Sequence, residues 1–200
     1  MAIIVEHEKR KHEILGKSLD LFIEEGYENV TFQKIADRCG ITRTTLYIYF
    51  KNKQEIFVSS IKELTDKLEA QLKEIIFKPN LSASDCLKKF VCHILDQCEN
   101  FKKFFKVLLV YLIQIQKTGV DAGKRVDRRV LRLRHMLNII IIRGKETGEF
   151  TDVPIKQTTD ILYTLLESGV FRLAVEGRKD IDDTRRMVNL MVDSICVKKD

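Results

Sequence analysis

Between Val30 and Phe57 the chain reads VTFQKIADRCGITRTTLYIYFKNKQEIF, and few folds accept that string. Thr31 precedes the apolar set Phe32, Ile35 and Ala36, so its hydroxyl is placed to cap a short helix. Lys34 stands where a full capping box would put an acid. Gly40-Ile41 supplies a tight turn, and Thr42 caps a second helix over roughly 43–49 that Leu46 and Phe50 hold on a core. Asn52 and Glu55 then form a reciprocal cap pair for a further helix. Ahead of this stretch, Leu15, Leu19 and Phe22 at i, i+4, i+7 predict a helix over about 8–25. Ile14, Leu21 and Ile23 broaden its stripe, Gly26 stops it and Tyr27 packs back on it.

The remainder is helical by the same signs. With 2 prolines and 9 glycines among 200 residues, little of the chain suits β-turns or long coil, and the expected class is all-α with about nine helices. Ile56, Ile61, Leu64, Leu68, Leu72 and Ile75 carry the apolar rhythm from Asn52 to Phe77, ended by Lys78-Pro79-Asn80. At about 37 Å such a helix is a strut between domains. The expected division is a three-helix DNA-binding domain over 1–51 and a C-terminal domain over 52–200, with 52–77 as the connecting helix. Five more helices are predicted over about 84–98, 101–116, 122–146, 155–176 and 182–197. Breaks fall at Glu99-Asn100, Thr118-Gly119, the turn from Thr147 to Phe150 with Pro154, and Gly177. Val126, Val130, Leu133, Leu137 and Ile140 alternate steps of four and three, the seam of a packed pair.

Composition excludes several function classes. Hydrophobic and charged contents of 44% and 32% are ordinary for a globular chain with a sizeable core. MAIIV followed by EHEKRKHE lacks the long apolar region of a secretion signal, and no apolar run reaches ~18 residues, so a cytoplasmic protein with no membrane span is expected. Cys39, Cys86, Cys92, Cys98 and Cys196 contain no CxxC pair and read as reduced, mostly buried thiols, with a redox sensor as the alternative. His7, His12, His93 and His135 make no helical His-x-x-x-His pair, and no metal or other cofactor is expected. Gly16-Lys17-Ser18 lacks the upstream glycine and strand of a phosphate loop, and no histidine is placed to serve a serine. No catalytic residues are assigned, and an enzyme is not expected.

What the second short helix offers is recognition. Arg43, Thr44, Thr45, Tyr47 and Tyr49 are left over once Leu46 and Phe50 are spent on the core. Hydroxyls and one arginine in a first turn, with tyrosines and lysines beyond, suit a helix that enters a DNA major groove while its flanks grip phosphates. Residues 1–60 hold nine Lys/Arg and nine Asp/Glu, yet Lys34, Arg38, Arg43, Lys51 and Lys53 share positions 34–53 with Asp37 alone. Glu24, Glu25 and Glu28 lie before them, which suits a basic front and an acidic back. Thr31 and Thr42 are needed as caps in any case. Arg43, Tyr49 and Lys53 have no evident folding duty, and they carry the argument.

The segment HEILGKSLDLFIEEGYENVTFQKIADRCGITRTTLYIYFKNKQEIF resembles the DNA-binding domain of the tetracycline-repressor (TetR/AcrR) family of bacterial regulators. The matches are LF…GY…T, then IA…GI before the recognition helix, then LYxYFKNKxEIF after it, together about a quarter of the chain. The resemblance implies a homodimer that binds a palindromic operator and releases it when a small-molecule effector enters the C-terminal domain. It implies phosphate contacts from Thr31 and Lys53, groove contacts from Thr42, Arg43, Thr44 and Thr45, and backbone or methyl contacts from Tyr47 and Tyr49. The sequence departs from the family at Thr44, where glycine is frequent, and at Cys39, where alanine is usual. An activator, or an adaptor regulated by a protein partner, is the alternative that keeps the same DNA-binding domain.

Two further surfaces admit two readings each. Phe104 and Tyr111, with Phe101, Phe105 and Phe150, line an effector cavity or simply fill a core. Positions 102–145 hold twelve Lys/Arg against Asp121 and Asp127, and the run Lys124, Arg125, Arg128, Arg129, Arg132, Arg134 attracts an anionic effector or forms a solvated face. Arg129 and Arg132 are the residues assigned to such an effector. Leu162, Leu166, Gly169, Val170 and Leu173 on the eighth helix, with Met187, Met191 and Ile195 on the ninth, are assigned to a dimer interface, the other reading being intramolecular core.

Overall fold

The computed structural model describes residues 2–117 and 122–198, and all of their side chains except those of 2–4 and 122–127. Nine helices are present among the described residues: α1 (Ala2–Glu25), α2 (Phe32–Cys39), α3 (Arg43–Tyr49), α4 (Lys53–Ile76), α5 (Ala83–Asn100), α6 (Lys102–Lys117), α7 (Ala122–Glu146), α8 (Ile155–Ala174) and α9 (Asp182–Ile195). The expected all-α class holds. They divide into two compact units, Met1–Leu68 and Glu69–Asp200, so α4 supplies residues to both.

In the first unit, α1 begins six residues earlier than its apolar stripe requires, because nothing in residues 2–7 interrupts a helix once one has formed. It ends where expected. Gly26 takes φ +80° and its N–H reaches the Phe22 carbonyl at 2.9 Å, a left-handed stop that an L side chain would strain. Tyr27 stacks on Phe22 and meets Phe57, and this aromatic group joins α1 to the start of α4. Phe22, Ile35, Leu46, Phe50, Ile56 and Phe57 are almost wholly withdrawn from solvent and form the core. At about 25 cal/mol per Å2 of apolar surface, burying each such side chain contributes roughly 1.5–3 kcal/mol.

The second unit is built round α5, which packs against α6, α7, α8 and α9. Its central position follows from its sequence: Cys86, Leu87, Phe90, Val91, Ile94, Leu95 and Cys98 are buried on more than one side. Ser82 caps it by accepting from the Asp85 N–H at 3.0 Å. The predicted break at Glu99-Asn100 falls instead at Phe101, one non-helical residue between α5 and α6. The Thr118-Gly119 break and the side chains of Lys124, Arg125 and Val126 lie outside the described residues. One feature had no sequence signal. After α9 the chain returns to the α7–α8 turn, where Val197 donates to Glu149 and Thr151 donates to Ile195, pairing Phe150 with Cys196. Phe150 lies flat over Gly144, where a Cβ would come within 2.1 Å of its ring.

Candidate nucleic-acid interface

The reading helix is set by its two ends. The Thr31 hydroxyl accepts from the Lys34 N–H at 3.2 Å and starts α2. Gly40 closes it with φ +66°, its N–H and that of Ile41 reaching carbonyls of the last turn. The Thr42 hydroxyl accepts from the Thr45 N–H at 3.1 Å and lies 2.8 Å from the Thr45 hydroxyl. Phe50 ends α3 in extended backbone and is buried. At the next entry the cap pair is slightly displaced: Asn52 accepts from Glu55 N–H, but the Glu55 carboxylate reaches the Lys51 N–H at 2.7 Å, one residue before the cap.

Between those ends α3 turns one face inward and the rest out. Leu46 is fully buried, whereas Arg43, Thr44, Tyr47 and Ile48 are exposed and Thr45 and Tyr49 half-buried. The Arg43 guanidinium donates to the Tyr47 hydroxyl at 3.2 Å and sits 5.7 Å from its ring, so the two lie along one side of the helix. No carboxylate neutralises Arg43 among the described residues. Tyr49 is steadied from α1, where His7 stacks on it with centroids 4.7 Å apart. Phe32 of α2 meets Tyr47 at 4.6 Å.

Three charges have duties the sequence did not suggest. Lys53 donates from Nζ to the carbonyls of Tyr27 at 2.9 Å, Glu28 at 3.2 Å and Val30 at 2.9 Å, and it covers the Tyr27 ring at 4.6 Å. An ammonium has three donors, and all three are taken. The expectation that Lys53 has no folding duty is therefore corrected: it ties the α1–α2 loop to α4. Lys34 is paired with Glu25 at 2.6 Å and Arg38 with Glu24 at 2.6 Å, so these bases of α2 are held by the acids at the end of α1. The hydrogen bond from Arg38 holds the Glu24 carboxyl below its ordinary range. The basic front is thus narrower than the count of lysines and arginines implies. Ile48, not singled out in the sequence, is 68% exposed, and its signal was its place opposite Leu46 on the helical wheel.

The residues assigned to effector and dimer fall as follows. Phe104 and Tyr111 are buried inside the second unit, and Arg129 is half-buried. Arg132 is exposed and pairs with Glu69 at 3.3 Å, while Arg134 pairs with Asp160 and lies over Tyr163. The dimer assignment is corrected at five of its eight residues. Leu162, Leu166, Gly169, Leu173 and Ile195 are buried within the subunit, and a Cβ on Gly169 would meet Leu95 of α5 at 2.9 Å. Val170, Met187 and Met191 are half-buried beside them. The large apolar side chains left exposed here are Ile161 and Phe171 on α8, Val175 at its C-cap and Leu190 on α9.

Residues 14–59 match the family model described as bacterial regulatory proteins, tetR family. The chain is 24% identical over 178 residues to the transcriptional repressor AcnR of Corynebacterium glutamicum, covering 86% of this chain and 88% of that protein. Its fold superimposes on a TetR transcription regulator from Haloarcula marismortui with a TM-score of 0.84 at 19% identity, over 95% of this chain and 100% of the other. It also superimposes on the Bacillus subtilis regulator FadR, solved in complex with stearoyl-CoA, with a TM-score of 0.73 at 19% identity, over 92% and 98% of the two chains.

Proposed function

The chain belongs to the TetR/AcrR family of transcriptional regulators, and on that premise we propose that it is a homodimeric repressor whose α3 reads a palindromic operator and which a small molecule releases. The observation that carries the reading is α3 itself. It is a threonine-capped helix after a glycine turn, anchored by Leu46, with Arg43, Thr44 and Tyr47 turned to solvent and Arg43 unneutralised. Arg43 is the only long donor fork on that face, suited to the paired acceptors of guanine. Thr31 keeps its hydroxyl proton for a phosphate oxygen, Thr42 and Thr45 keep one between them because their hydroxyls share a hydrogen bond, and Tyr49 lies at the helix end held by His7. A protein that reads operator DNA acts in the cytoplasm, which is the location this reading implies; among the described residues no helix is long and apolar enough to cross a membrane.

Two copies must present α3 about 34–36 Å apart to enter successive major grooves on one side of a duplex. An effector releases the operator only by its differential affinity for a dimer with another spacing. Support for a ligand in the second unit comes from polar atoms left unsatisfied there: Gln114 Oε1 and Arg143 Nη2 are buried without partners. A ligand with a polar head and an apolar body would satisfy such groups, and an acyl-CoA is one member of that class.

The test is direct. Duplexes enriched from a random pool by the purified protein should share an inverted repeat, and binding should be titrated with palmitoyl-CoA, palmitate and choline in turn. A repeat with two half-sites, and loss of binding with one of these compounds, is the expected result. Enrichment of no sequence would end the DNA-reading proposal; a promoter that falls silent when the gene is deleted would end the repressor reading.

A further inference from the structure

We propose that Ile48, flanked by Thr44, reads the 5-methyl group of a thymine in each half-site. The inference rests on the DNA-reading role of α3 and adds a specificity residue to it. With Leu46 fully buried, the side chains most nearly opposite it lie two residues to either side, about 160° and 200° round the helix. Those are Thr44 and Ile48, one turn apart on the same row. Arg43 and Tyr47 form the neighbouring row, joined by the hydrogen bond at 3.2 Å. The centre of the outward face therefore carries a hydroxyl with its methyl and a whole sec-butyl group, with no charge.

Folding does not explain that isoleucine. It is 68% exposed, and a β-branched residue is a poorer helix former than leucine or alanine. Only a partner that buries it accounts for the choice. On the major-groove edge of B-DNA the one apolar group on display is the thymine methyl. The same branching that weakens the helix fixes χ1, so Ile48 meets the methyl with little freedom left to lose.

The experiment uses the full chain and the duplex enriched from a random pool, replacing its thymines one at a time by deoxyuridine. That exchange removes the methyl and leaves every hydrogen-bonding group in place. The native protein should lose about three- to five-fold in affinity at one thymine per half-site, the scale of one or two buried methyl contacts. Ile48→Ala should lose a similar factor on the thymine duplex and be indifferent to deoxyuridine at that position. Because the site is exposed, Ile48→Ala should melt within about 2 °C of the native protein. An Ile48→Ala variant that kept the native thymine-to-deoxyuridine ratio everywhere would overturn the assignment, as would an equal loss on random DNA, which marks a backbone contact. A pool that enriches nothing removes the DNA reading and this inference together; an enriched duplex insensitive to its methyl groups removes this inference alone.

Discussion

Arg43 and Lys53 are both basic residues at the edge of α3, yet their surroundings give them different work. Arg43 has no acid against it and a hydroxyl beside it, which orients the guanidinium without discharging it. Replacing Arg43 by alanine should weaken the enriched duplex by about 1–3 kcal/mol while changing random-DNA affinity far less, measured by competition at fixed salt. Lys53 is committed to three carbonyls. Lys53→Met should destabilise the protein by about 1–3 kcal/mol in a urea melt, since the carbonyls lose their donors. It should leave the salt slope of DNA binding unchanged; a slope smaller by about 1 would restore Lys53 to the phosphate. Burial pushes the Cys98 thiol up to about 12, so it should resist thiol reagents until the protein unfolds, as a structural cysteine does.

Where elements meet, two devices hold the second unit. Arg185 on α9 donates to Glu99 and Asp96 at the end of α5 and to Asp182 on its own helix, while Glu99 also accepts from the Ile181 N–H. The Arg185 hydrogen bond, then the backbone donor, hold the Glu99 carboxyl below its ordinary range against the opposing effect of burial. A carboxyl depressed in the folded state adds stability above its unfolded value of about 4.3, and loses it as pH falls through the folded value. Thermal melts should therefore show a loss on acidification below about pH 4.5 that is reduced in Glu99→Gln. The second device is the close seat of Phe150 on Gly144. A Gly144→Ala variant must move that ring and with it the pairing of Phe150 to Cys196, and it should cost about 2 kcal/mol or more in a denaturant melt.

At the scale of the whole molecule, the proposed reading of a two-half-site operator depends on self-association. Ile161 and Phe171 on α8, Val175 at its C-cap and Leu190 on α9 lie exposed, apolar side chains that a second copy would cover. A charge among them, Phe171→Asp, should shift the protein from dimer to monomer in light scattering and lower operator affinity at least ten-fold, since one half-site then acts alone. The same charge at buried Leu166 would instead unfold the subunit, and the two variants separate an interface residue from a core residue.

Local order was legible residue by residue. Thr31 and Thr42 mark helix starts, Gly26 and Gly40 mark stops, and the three-four apolar spacing marks helices, because caps and periods act over one or two turns of chain. The Arg43 face of the reading helix was legible for the same reason, since a seven-residue helix with one buried leucine has a single way to sit. The α8 helix is different: it has apolar residues on two sides, and periodicity cannot say whether Leu162 or Ile161 faces home. That choice, like the engagement of Lys53 with carbonyls more than twenty residues back, is made by what other helices bring within reach. Spacing along a chain determines which side chains share a face; only the packed neighbours determine which face is hidden and which charge remains free.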